Sequence, residues 1–149
     1  MYVDPRGLRL AAWITTVVLA VVLLTGSWVL LAVQTAIFAV GTLAGLRWAP
    51  YGLLYRLVVA PRLGPPAELE LAAPPRFAQG VGFAFALVGT VGYTTGLALL
   101  GVVATACALA AAFLNAAFGL CLGCELYLLV LRILRTEATG TQTSKGAAL

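Results

Sequence analysis

The chain has 149 residues, enough for one domain, of which 62% are hydrophobic and only 9% charged, with a net charge of +4. Soluble domains carry about 25% charged residues, so a fold with all its surface in water is excluded. The absence of histidine removes the commonest metal ligand and general base, and three cysteines make no disulfide framework in a chain of this size.

No charged residue falls between Leu10 and Leu46, or between Phe77 and Cys124. About 20 apolar residues cross a bilayer core of about 30 Å, so each stretch is too long for one span and suits two. Asp4-Pro5 is a helix start, with Asp at the cap and Pro in the first turn. The start lacks the pattern of a cleaved signal peptide, and the first helix is read as retained, running to about Leu24. Thr25-Gly26-Ser27 is a turn signal. A second helix is predicted from Trp28 to about Leu46, with Gln34 making an interhelical hydrogen bond.

Residues 47–75 hold six prolines and most of the mid-chain charges. Tyr51 to Ala60 reads as a short helix lying in the interface, where its tyrosines and Arg56 suit the headgroups, or as a membrane-proximal loop. Pro61 to Pro75 is predicted to be an irregular linker. A third helix is expected from Phe77 to Tyr93, with the glycines at 80, 82, 89 and 92 allowing close helix packing. Thr94-Thr95-Gly96 is the second turn, and a fourth helix runs from Leu97 to Phe118. A continuous helix to Arg135 would be about 58 Å long at 1.5 Å per residue, so a break is predicted between Asn115 and Gly123. Residues 136–149, rich in Thr, Gly and Ser, read as a disordered tail.

The two apolar stretches are related at an offset of 70 residues. Pro5-Arg6 matches Pro75-Arg76, Thr25-Gly26 matches Thr95-Gly96, and LLYRLVV from Leu53 resembles ELYLLVL from Glu125. The expected fold is all-α: an integral membrane bundle of four transmembrane helices in two parallel two-helix repeats, with short amphipathic interfacial segments. The membrane domain covers residues 1–135, its repeat halves 5–59 and 75–131 joined by the linker 61–75. All nine basic residues fall on one predicted side, which places both termini in the cytoplasm. The net charge then reflects orientation and anionic lipid and requires no nucleic acid.

Cys121-Leu122-Gly123-Cys124 is the main chemical candidate. At this spacing one sulfur can attack and the other resolve, and a thiol pKa can be lowered, here by a nearby Arg or by a helix N-terminus beginning after Gly119. The bland alternative is two small apolar residues packing in a helix. Glu125 follows the pair and could accept a thiol proton, or could form an ion pair with Arg132 or another arginine. Asn115 is expected to satisfy backbone or to cross to another helix, and Cys107 to be core filler.

The segments VDPRGLRLAA, APPRFAQGVG and above all LNAAFGLCLGCELY resemble the bacterial membrane proteins grouped as domain of unknown function family 4395, over residues 3 to 135. The resemblance implies a small multi-helix protein of the inner membrane whose relatives occur near thioredoxin-like and rhodanese-type sulfurtransferase proteins. It brings no activity and no cofactor. The site residues expected to carry chemistry are Cys121, Cys124 and Glu125, as a thiol/disulfide or persulfide relay with a cytosolic thioredoxin-like or sulfurtransferase partner. Two other readings stay open. One is half of a four-thiolate metal site in a homodimer; the other is a structural or accessory subunit of a larger membrane complex. A transport path is disfavoured because the spans offer almost no polar lining.

Overall fold

The computed structural model describes the backbone of residues 1–146 and the side chains of residues 1–137. The chain is almost wholly helical. After a two-residue strand, β1 (Tyr2–Val3), the helices α1 (Pro5–Thr25) and α2 (Trp28–Leu43) form a hairpin. A bent helical run follows: α3 (Pro50–Leu54), a π-helical turn (Tyr55–Val59) and α4 (Ala60–Leu63). A second short strand, β2 (Glu70–Leu71), leads into α5 (Ala73–Thr94), α6 (Ala98–Phe118) and α7 (Leu122–Gly146).

Local chemistry accounts for these boundaries. The Asp4 carboxylate accepts the Arg6 backbone N–H and caps α1, with Pro5 at the first helical position where no N–H is needed. Gly26, at φ 66°, takes the left-handed conformation that ends α1, and Ser27 caps α2 through the Leu30 N–H. Gly96, at φ 82°, makes the corresponding turn between α5 and α6. The π-helical turn sits just before Pro61, which has no N–H to continue the α ladder. Instead the Ala60 N–H reaches back to the Tyr55 carbonyl, five residues away.

Three helices, α1, α5 and α6, are long and apolar enough to cross a membrane. Most of their surface is not covered by protein: only 33%, 17% and 22% of the span windows of α1, α5 and α6 are buried. Leu24, Leu43 and Leu99 are each more than three-quarters exposed. Apolar surface of this extent fits a lipid environment. The helix α2 is apolar but has 16 residues. It stops at Leu43, short of the expected Leu46, because Gly45 turns to φ 95°.

The core is thin and lies along α2, between α1, α5 and α6. Leu19, Val22, Leu31, Phe38, Ala86 and Ala108 form its buried cluster. α2 packs most extensively on α5, α6 on both α5 and α1, and α7 on α5. Small residues set these distances. A Cβ added at Gly92 would lie 2.5 Å from the Gly101 nitrogen, and one at Gly82 3.0 Å from the Phe38 ring. The glycine positions expected to allow close packing do so at 82, 89 and 92, while Gly80 is in ordinary contact with Thr42.

Two regions differ from the sequence reading. α5 begins at Ala73, four residues before the expected Phe77, because Pro74 and Pro75 occupy first-turn positions where a missing N–H costs nothing. The segment expected to be an irregular linker is accordingly shortened at both ends: α4 takes in Pro61, and β2 pairs antiparallel with β1, Tyr2 opposite Leu71 and Val3 opposite Glu70. The helix α7 continues to Gly146, eleven residues into the segment read as a disordered tail, and residues 147–149 lie outside the described residues.

Candidate functional site

The break expected between Asn115 and Gly123 falls at residues 119–121. Gly119, at φ 69°, is the left-handed cap of α6, and its N–H bonds the Asn115 carbonyl at 3.0 Å while the Leu120 N–H bonds Leu114 at 3.2 Å. The chain turns and starts α7 at Leu122, so Cys121 immediately precedes the helix and Cys124 lies in its first turn.

The two sulfurs are bonded to each other, with Cα atoms 5.1 Å apart, inside the range of about 4.4–6.8 Å that a disulfide needs. The Cys124 backbone N–H points at the Cys121 sulfur at 3.3 Å, and the Glu125 N–H bonds the Cys121 carbonyl at 3.0 Å. Cys121 thus occupies the helix-capping position, where free N–H groups and the helix dipole favour negative charge. Both cysteines are half-buried; Glu125 is exposed and, among the described residues, makes no ion pair. The expected partnership of Glu125 with Arg132 is not formed.

α7 is held against α5 at this point by Gly123, whose place leaves no room for a side chain above Ala78. Arg9, from α1, donates to the Ala116 carbonyl at 3.3 Å and so reaches the open end of α6. A cavity of about 720 Å³ lies between α1, α5, α6 and α7, and both cysteines line it. Ala108, Ala111, Ala112, Phe38 and Phe85 give it alkyl and aromatic walls, with Arg9, Gln79 and Asn115 among its few polar groups.

A protein-family model, Domain of unknown function (DUF4395), matches residues 3–132. The chain belongs to this family. The match runs from β1 through the first turns of α7 and so takes in both hairpins, the cavity and the cysteine pair. No curated protein and no solved structure shows significant similarity to the chain.

Two sequence expectations near the site are corrected. Cys107 is exposed and faces the cavity instead of filling the core, because α6 turns that face away from its packed neighbours. The Asn115 amide, expected to satisfy backbone or another helix, has no side-chain hydrogen bond among the described residues. Gln34 does make its interhelical bond: it is 1% exposed and accepts from the Tyr51 hydroxyl at 2.7 Å.

A second polar centre was not legible in the sequence. Asp4 accepts from Arg6 Nε and Nη2 at 3.2 and 3.1 Å and from the Tyr55 hydroxyl at 2.6 Å. Burial pushes its carboxyl up, but the hydrogen bonds from Arg6 and Tyr55 and the Arg6 charge outweigh this and hold it below the usual carboxylate value. Burial and the facing carboxylate push the Tyr55 hydroxyl up in turn. Arg6 continues to the Gly64 carbonyl at 3.0 Å, tying the N-terminus to the end of α4. The only sequence signal was the Asp-Pro cap; nothing in the spacing pointed to Tyr55, 51 residues on.

Proposed function

We propose that this is a four-span protein of the bacterial inner membrane whose Cys121–Cys124 pair exchanges electrons with a cytosolic thioredoxin-like or sulfurtransferase partner. The observation that carries the reading is the placement of the pair: Cys121 caps the start of α7, receives the Cys124 N–H, and opens on a cavity. In the oxidised protein a partner thiolate attacks Cys121, and Cys124 leaves as a thiolate that takes up a proton. A mixed disulfide through Cys121 forms. The partner's second thiolate then displaces Cys121, which leaves as a thiolate favoured by the helix N-terminus, and the partner's own disulfide closes. Two electrons pass from the partner to the pair. Exposed Glu125, next in the chain, is suited to pass a proton to and from Cys124.

In this reading α2 is the fourth span, and the bundle consists of two parallel halves. Three pairs of contacts support the halves. α1 packs on α6 as α5 packs on α2. Arg9 of the first half donates to the C-terminal end of α6, and Arg76 of the second donates to the Thr42 and Leu43 carbonyls at the end of α2. The Tyr55 ring lies over Gly7, and the Tyr127 ring lies 5.6 Å from that of Phe77, the residue 70 places after Gly7. A parallel arrangement puts the arginines, both termini and the cysteine pair on the cytoplasmic side.

The test is a maleimide gel-shift on inside-out vesicles. A Cys107→Ser background is needed, because Cys107 is exposed. Reduced protein should gain two labels and oxidised protein none, and a Cys124→Ser variant should trap a mixed disulfide with a thioredoxin-like protein through Cys121. If both cysteines stay unlabelled after reduction, while a cysteine placed at Thr136 labels, the exchange reading is wrong.

A further inference from the structure

We infer that the cavity beside Cys121 and Cys124 binds a quinone-class lipid, which reoxidises the pair. This rests on the dithiol reading above and names the partner on its membrane side. The argument starts from the cavity walls. They come chiefly from α1, α5 and α6, the three long apolar helices, and from the first turn of α7, with Phe38 of α2 and Glu70 of β2 completing the lining. Ala108, Ala111 and Ala112 leave a smooth alkyl face on α6, opposite Phe85 of α5. At about 720 Å³ the space is within the range of pockets that enclose a small organic molecule, about 300–1,000 Å³. Such walls admit an apolar, flat guest and disfavour an ion.

The polar groups narrow the class. Gln79 and Asn115 line the cavity, and among the described residues neither amide side chain has a hydrogen-bond partner. Half-buried amides of this kind offer N–H donors to a neutral acceptor. Arg9, the cationic group on the wall, donates one N–H to Ala116, and Glu70 on the same wall is a carboxylate, so the charges lining the cavity sum to zero and favour a guest of no net charge. The guest is therefore apolar, planar and equipped with neutral carbonyl oxygens. The sulfurs on the same wall add the last requirement, a two-electron couple. A quinone meets all of these.

The step balances without a further reagent. The Cys121 thiolate and the Cys124 thiol give up two electrons and the remaining proton as their S–S bond forms. The quinone takes two electrons and two protons, the second proton from solvent replacing the one already released when Cys121 ionised, and becomes the quinol. Gln79 and Asn115 hold the carbonyl oxygens as they gain electron density.

The experiment uses the full chain in lipid nanodiscs, reduced, freed of reductant and kept under anaerobic conditions. The probe is a fully substituted benzoquinone with a ten-carbon tail, which cannot add thiols covalently to its ring. Quinone absorbance should fall by one quinone per protein as two thiols disappear, and the rate should saturate with quinone. Asn115→Leu, which removes an amide with no hydrogen-bond partner among the described residues, should raise the half-saturating quinone concentration about tenfold, as expected for one lost hydrogen bond. The inference is overturned if the quinone stays unreduced, or if the rate neither saturates nor responds to Asn115→Leu. If thiol exchange with a thioredoxin-like protein persists in those cases, the dithiol reading survives and the quinone falls. If both reactions are absent, both readings fall.

Discussion

Gly123 and Ala78 touch backbone to backbone: a Cβ added at 123 would lie 2.6 Å from both the Cα and the Cβ of Ala78. This contact fixes where α7 meets α5, and with it the direction in which the cysteine pair faces. Replacing Gly123 by Leu should force α7 outward, since overpacking of this kind costs about 1–3 kcal/mol. Thermal unfolding in detergent should show a lower midpoint, and the Cys121–Cys124 disulfide should become easier to reduce or re-form more slowly. An unchanged midpoint and unchanged thiol kinetics would mean that the two helices are not in contact in the membrane.

Arg76 donates to Thr42 at 2.7 Å and to Leu43 at 3.1 Å, supplying partners to the last carbonyls of α2. Arg76→Met keeps the length and removes the donors. Charge-assisted hydrogen bonds contribute about 1.5–3 kcal/mol, and the loss should appear as faster amide exchange at Gly45 and Leu46. Equal exchange in both proteins would show that water closes this helix end just as well.

Tyr51 and Gln34 form an asymmetric pair. The Tyr51 hydroxyl is the partner of Gln34 Oε1, while Gln34 Nε2 is buried with none among the described residues. Tyr51→Phe should therefore destabilise by about 1–3 kcal/mol, because it leaves a whole amide unsatisfied. Gln34→Leu in the Tyr51→Phe background should recover most of that loss. A double variant no more stable than Tyr51→Phe alone would contradict this account.

Asp4 gives a pH dependence of defined sign. Its folded-state pKa lies below the ordinary aspartate value of 3.8. The stabilisation is thus complete above the unfolded value and is lost as pH falls through the folded one. The stability difference between the wild type and Asp4→Asn, measured by urea unfolding in micelles, should be constant from pH 7 to about pH 5 and shrink below about pH 4. A difference that grows on acidification would reverse the assignment.

Reporter fusions at Gly26 and Gly96 should both read as outside, and a fusion after Arg135 as inside. A cytoplasmic signal at Gly96 would remove the four-span topology.

The helices and turns were legible because their signals are local. Pro5, Gly26, Ser27, Gly96 and Gly119 each act within a few residues, and the long uncharged runs between them set the spans. The cysteine pair was legible for the same reason, as was the helix start that favours the Cys121 thiolate. The start of α5 was misplaced because Pro74 and Pro75 read as breakers until their first-turn position is known. What stayed hidden depends on distant neighbours. Nothing in the sequence says that Tyr55 reaches Asp4, that Asn115 and Cys107 face a cavity, or that β1 finds β2. Each of these depends on how the hairpins pack together.

The exchange of arginines between hairpins has a consequence for biogenesis. Arg76 is 34 residues downstream of Thr42, whereas Arg9 is 107 residues upstream of Ala116. During synthesis α2 is complete with its last carbonyls open and must wait for α5 to emerge. α6, made much later than α1, finds its arginine already in place. A nascent chain stalled before residue 76 should therefore be the species most exposed to membrane proteases, and one stalled after it should be protected through α2. The hairpins are thus not separable folding units: whichever is made first is finished only by the other.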